Sequence, residues 1–204
     1  TWMRDLGLVV TIDTVGNVVA STSNDGASGA VMAGSHIDTV GTGGRYDGNL
    51  GVLAGLEVIE ATLAAGIELQ RPLAVAFFSN EEGSRYLPDM MGSLAYVGGM
   101  SVESVLNVEG ADGTVVEEEL ERIGYRGSAP CPGAIPHAYV ELHIDQGPVL
   151  DQGGLQIGVV EGVQGISWTE LVITGQSNHA GTTPMALRRD SMVVAGQVTV
   201  AART

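Results

Sequence analysis

The sequence predicts an α/β fold, and three observations carry that prediction. Short apolar runs of strand length alternate with a long segment of helical periodicity, as in a sheet with helices on its faces. The 30 glycines are not periodic; they gather where the apolar runs stop, as tight turns after buried strands require. Three polar motifs, GSHIDT, NEEGS and ELHIDQG, fall at the ends of three of those runs.

Taken in chain order, Met3, Leu6 and Leu8 have the spacing of the end of an amphipathic helix. Residues 8–21, LVVTIDTVGNVVAS, read as two strands around a Val15-Gly16-Asn17 turn. After a polar loop, residues 30–34 form a short buried strand that ends at Ser35-His36. Apolar positions in residues 49–65 recur at helical spacing and stop at Gly66, which predicts a helix. Residues 73–79, LAVAFFS, are a continuous apolar run introduced by Pro72 and read as a buried strand. Helical and polar material follows to about Gly127, then a Pro-rich loop with Cys131. Residues 138–144, 155–161 and 167–174 read as three further strands, and the chain is helical from Asp190 onward. Neither end carries a cap or breaker, so a piece of a longer chain is expected.

Composition narrows the function classes. Apolar residues make up 44%, enough for a sizeable core. Nine Lys and Arg against 24 Asp and Glu leave a net charge of −15, which argues against a nucleic-acid partner because phosphate binding needs clustered cations. Cys131 is the only cysteine, so no intrachain disulfide can form and a cytoplasmic setting is expected. No apolar run approaches the ~20 residues of a membrane span, and no membrane partner is expected.

In open α/β sheets ligands bind beyond the carboxyl ends of strands, so the strand-end motifs bear on chemistry. His36 and Asp38, two apart in extended chain, point to one side. There Asp38 could hold one ring nitrogen while the other binds a metal; a simple hydrogen-bonded strand-end histidine is the alternative. Asp47, in RYDGNLG, reads either as a ligand or as a carboxylate favoured by a helix N-terminus. Glu81 and Glu82 repel each other at the end of an apolar strand; one could ligate a cation while the other works as a base. His143 completes a set of two imidazoles and several carboxylates. Nitrogen and carboxylate donors suit zinc or manganese, with cobalt or nickel also admissible, and a shared aspartate would allow two divalent ions. Cys131 has no base near it in sequence and reads as inert, and His137 as a loop histidine.

The blocks GSHIDTVGTGGRYDGNLGVLAGLE, FFSNEEGSR, AYVELHIDQGPVL and QSNHAGTTPMALRRD closely resemble the hydantoinase/carbamoylase family of amidases, relatives of the aminoacylase- and carboxypeptidase-type metallopeptidases. The resemblance implies a mixed-sheet, metallopeptidase-like catalytic domain over residues 1–164 and the start of a smaller α+β lid and dimerisation domain over residues 165–204. It implies that His36, Asp47, Glu82 and His143 ligate metal, with Asp47 bridging two ions. Asp38 would support His36, Glu81 would be the general base, and Gln146 would lie near the substrate. It also implies that His179, otherwise readable as a plain loop residue, reaches the active site of the partner subunit in a homodimer and stabilises the oxyanion. Arg188 and Arg189 stay open as surface charges or lid-helix contacts.

The chain departs from the family pattern at Asp145, where Glu is usual, and at Tyr86, where Phe is usual. Family members are about twice as long, and their last metal-binding histidine would lie beyond position 204; none of the four histidines at 36, 137, 143 and 179 can take its place. The expected activity is metal-dependent hydrolysis of linear amide C–N bonds in N-carbamoyl-L-amino acids, with allantoate or β-ureidopropionate as rival substrates. Trp168 leans slightly toward the carbamoylase pattern. Rivals from other classes are a non-catalytic dimerisation module and an aminopeptidase or dipeptidase.

Overall fold

The computed structural model describes every residue except Trp168 and Thr204. The chain divides into two compact units, Thr1–Gly154 and Leu155–Thr204.

The first unit is built on a five-stranded sheet. Helix α1 (Trp2–Asp5) leads into strands β1 (Val9–Ile12) and β2 (Val18–Ser21), then β3 (Val31–His36), helix α2 (Asn49–Ala64) and strand β4 (Leu73–Phe78). Three short helices follow, α3 (Met91–Tyr96), α4 (Val102–Leu106) and α5 (Val116–Arg122), before strand β5 (Ala138–Val140) and helix α6 (Val149–Gly153). The strand order is β1-β2-β4-β3-β5. β1, β2 and β4 pair antiparallel, whereas β3 runs parallel to both β4 and β5. The sheet is therefore mixed, as expected, and β4, β3 and β5 deliver their carboxyl ends to one edge.

Alternation along the strands divides the core between the two faces. Val19, Met32, Ala74, Ala76 and Phe78 pack on one face with Tyr96 of α3. Ala20 and Val75 pack on the other against Val52, Leu56 and Ile59 of α2. Each of those α2 side chains contributes on the order of 1.5–3 kcal/mol by leaving water. A third cluster joins Val15 and Tyr86 to Met91, Ala95, Val105, Leu106, Val116 and Leu120, and so docks the three short helices beside the end of β4.

Inside the β1–β2 turn, Asp13 is buried and its carboxylate accepts from the main-chain amides of Val15 and Asn17 and from Asn17 Nδ2. Burial pushes its pKa up against these bonds. Cys131 lies beside it, and burial with the neighbouring Asp13 pushes the thiol up to about 12, so it stays protonated and inert as expected.

Three strand expectations are corrected. β5 stops at Val140 rather than residue 144. Beyond its last pairing with β3 the chain passes over the start of α2, where the Leu142 carbonyl lies against Gly51. Residues 155–161, and the described residues of 167–174, form no strand, because no described segment lies alongside to complete a ladder. Trp168 falls outside the described residues. The second unit holds a 3₁₀ turn (Met185–Leu187) and helix α7 (Ser191–Ala202), whose first turn is capped by the Asp190 carboxylate on the Met192 amide.

Candidate metal centre

His36 is the last residue of β3, Glu81 and Glu82 follow β4, and His143 and Gln146 follow β5. Three adjacent parallel strands thus bring their trailing residues to one edge, where Asp47 arrives from the turn that opens α2. That turn depends on Gly48. Its φ is +67°, and a Cβ there would stand 2.5 Å from the His36 ring, so only glycine lets Asp47 and His36 meet.

Ligand atoms of His36, Asp47 and His143 lie within 4.8 Å of one another. His36 and Asp47 are buried and His143 is exposed. The hydrogen bonds decide which ring nitrogen can act. His36 Nδ1 lies 3.0 Å from the Asp38 carbonyl oxygen and His143 Nδ1 lies 2.8 Å from that of Ile144. A carbonyl oxygen only accepts, so each Nδ1 donates, and in the neutral tautomer each Nε2 then offers a lone pair. Both Nε2 atoms face Asp47 Oδ1, at 3.7 and 3.1 Å. That oxygen is buried and has no hydrogen-bond partner among the described residues. Gln146 Nε2 meanwhile donates to the other oxygen, Oδ2. Two imidazole nitrogens and a carboxylate oxygen thus converge on one point, an arrangement that could hold a metal ion. The donor set fits a borderline divalent metal such as zinc.

Asp38 does more than face His36. Its carboxylate stands 3.6 Å from Nδ1, longer than a hydrogen bond. Instead it accepts from the main-chain amides of Glu81, at 3.2 Å, and Glu82, at 3.0 Å, tying the β4 loop to the β3 loop. The Glu82 carboxylate lies beside Gly44, on the loop that carries Asp47, and is outside the three-residue cluster. Glu81 Oε1 accepts from Ser93 Oγ at 2.8 Å, while Oε2 is buried and has no partner among the described residues. Burial pushes the Glu81 pKa up, with the Ser93 hydroxyl and amide opposing it. Next to His36, Glu141 accepts from Ser35 Oγ at 2.6 Å and from Tyr139 Oη at 2.9 Å, which braces β5 against β3.

His179 belongs to the second unit. Its Nδ1 accepts from the Gly181 amide at 3.1 Å within an exposed loop. Arg188, left open by the sequence, donates to the Thr183 and Ala180 carbonyls and so ties that loop together. Sequence reasoning also passed over Asn17, Ser93 and Glu141. The only local signal was Asn17 in a Val-Gly-Asn turn, where asparagine needs no further explanation.

A sequence profile of peptidase family M20/M25/M40 matches residues 32–203. The chain is 40% identical over 204 residues to an N-carbamoyl-L-amino acid amidohydrolase of Geobacillus stearothermophilus, covering 97% of this chain and 49% of that protein. It is 38% identical over 213 residues to a probable allantoate deiminase of Oryza sativa subsp. japonica, covering 100% and 43%. A crystal structure of a hydantoinase/carbamoylase family amidase from Burkholderia vietnamiensis superposes with a TM-score of 0.79 at 40% identity, covering 97% of this chain and 48% of that one. The chain spans about half the length of the curated relatives it matches. On a profile match across most of its length and the solved amidases that share its fold, the chain belongs to peptidase family M20/M25/M40.

Proposed function

We propose that the full-length protein is a metal-dependent amidohydrolase that cleaves a linear C–N bond in N-carbamoyl-L-amino acids. The observation that carries this reading is the convergence of His36, His143 and Asp47 donor atoms beside the half-buried Glu81, whose Oε2 has no hydrogen-bond partner among the described residues. Relatives named N-carbamoyl-L-amino acid amidohydrolase support the substrate class.

His36, Asp47 and His143 would hold one divalent cation, zinc or manganese, and Asp47 with Glu82 would hold a second. Bound cations lower the pKa of water and polarise a carbonyl oxygen. Glu81 Oε2 accepts a proton from the attacking water, whose oxygen bonds to the ureido carbon. As the C–N bond breaks, Glu81 returns that proton to the leaving nitrogen. Gln146 keeps Asp47 oriented through Oδ2 and leaves its own carbonyl to accept an N–H of the substrate. In a homodimer, His179 of the partner subunit donates to the developing oxyanion. The catalytic domain would cover residues 1–164 and the lid domain would begin at 165. The single, half-buried thiol fits a reducing, cytoplasmic setting.

In the full-length protein, Glu81→Gln is expected to retain metal, measured by elemental analysis. Its turnover of N-carbamoyl-L-amino acids should fall by about 10²–10⁴-fold. Near-normal turnover would remove Glu81 as the base. Because relatives named allantoate deiminase match almost as well, allantoate is the second candidate. Assaying N-carbamoyl amino acids, allantoate and dipeptides side by side separates these substrates from each other and from peptidase activity. A full-length protein without stoichiometric metal would point to a non-catalytic module.

A further inference from the structure

A general base carried on a loop needs something to hold it, because a carboxylate on a flexible segment samples many orientations. Glu81 sits on such a loop, just past the end of β4, and Asn80 before it takes a left-handed φ of 50°. Three main-chain hydrogen bonds fold the start of α3 back along this loop: Gly92 N to Ser79 O at 2.9 Å, Met91 N to Asn80 O at 3.3 Å and Met90 N to Glu81 O at 2.8 Å. The next residue, Ser93, directs its hydroxyl at Glu81 Oε1. The same hydroxyl lies 3.1 Å from the Met90 carbonyl, but it has one proton, and the charged oxygen at 2.8 Å is the stronger acceptor.

Behind this contact lies Asn17, only 1% exposed. Its Oδ1 accepts from the Ser79 amide at 2.9 Å, and its Nδ2 donates to the Gly92 carbonyl at 2.9 Å and to Asp13 Oδ2 at 2.9 Å. One side chain thus grips the residue two before Glu81 and the residue immediately before Ser93. Gly92 allows the approach, since a Cβ there would collide with Asn17 Oδ1 and the Ser79 main chain. With Oε1 engaged by Ser93, Glu81 is left with a single free and buried oxygen, Oε2.

We propose that Ser93 is a positioning residue for the general base: its hydroxyl holds Glu81 Oε1 so that Oε2 alone is presented to the attacking water, and Asn17 keeps the two segments in register. The proposal rests on the reading of Glu81 as the base. Its chemistry is one of orientation; Ser93 exchanges no proton with the substrate.

The test uses the full-length, metal-loaded protein. Ser93→Ala is expected to lower kcat by about 10- to 100-fold while KM, metal content and melting temperature hold, as for a misoriented catalytic group. Ser93→Thr, which keeps the hydroxyl, should recover kcat to within a few-fold. In a Glu81→Gln background, adding Ser93→Ala should cost nothing more, because the hydroxyl acts through the carboxylate. Wild-type kcat in Ser93→Ala, failure of Ser93→Thr to restore it, or an equal loss in both backgrounds would overturn the proposal. If Glu81→Gln alone turned over normally, the base assignment itself would fall; if Glu81→Gln were inactive and Ser93→Ala normal, only the role of Ser93 would.

Discussion

His36 and His143 each spend their Nδ1 proton on a main-chain carbonyl, and that fixes what their other nitrogen can do. With both Nε2 atoms facing an Asp47 Oδ1 that has no hydrogen-bond partner among the described residues, the three side chains offer a donor set that could hold a cation. If His143 ligates the metal as proposed, His143→Ala in the full-length protein should weaken metal binding by about 100-fold or more, read by competition with a chelating dye, since losing a ligand costs more than the about 10–100-fold of losing a residue that hydrogen-bonds one. His137→Ala is the control: its amide bonds the Ala30 carbonyl and its side chain makes no hydrogen bond among the described residues, so metal affinity should not change. At this scale the sequence was informative about residue types. Two histidines and several carboxylates at strand ends already suggested a metal site. Nothing local told which oxygen of Asp47 stays free, because that is set by Gln146, 99 residues away.

The site is assembled by elements whose ends are held in register. β3 and β4 are paired from Val31↔Leu73 to His36↔Phe78, so the loops bearing Asp38 and Glu81 start level and the Asp38 carboxylate can reach both glutamate amides. The turn into α2 is the tightest of these joints. Gly48→Ala would force a Cβ into the His36 ring from a left-handed backbone. It should destabilise the protein by more than about 1 kcal/mol, seen in the urea midpoint, and lower metal affinity as His36 is displaced. Most elements were legible: the two strands around Gly16, the strands before His36 and Ser79, and the helix from residue 49 follow from apolar periodicity and breakers. The expected strands in residues 155–174 were not, because an apolar extended run becomes a strand only when a neighbour completes its hydrogen bonds. β5 ended early for a related reason, since the chain must leave β3 to carry His143 across α2 to Asp47.

For the molecule as a whole, the net charge of −15 is mostly solvated, but part of it is organised. Arg85 pairs with Asp112 at 3.0 Å and with Glu119 at 2.9 Å, and Arg122 also reaches Glu119, linking the loop after Glu82 to α5. Hydrogen bonds from Thr114 and Arg85 hold Asp112 down to about 2, and those from Arg122 and Arg85 hold Glu119 down to about 2. Carboxylates lowered in the folded state stabilise it at pH above their unfolded values, and that contribution is lost as pH falls from about 4.5 toward about 2. Urea midpoints of the full-length protein should therefore drop across that window, and Arg85→Met should make the drop shallower. Among the described residues no helix is long and apolar enough to cross a membrane.

The sequence by itself determined the α/β class, the short-range turns and the identity of the chemical groups at the strand ends, because periodicity, glycine placement and residue type act within a few positions of the chain. Only the tertiary structure decided how those groups face one another. Asp47 Oδ1 between two Nε2 atoms, Asp38 across two amides, and Asn17 between Ser79 and Gly92 join segments 11 to 96 residues apart. Such contacts come from the register of parallel strands and the close approach of helix to loop, which no local stretch of sequence encodes.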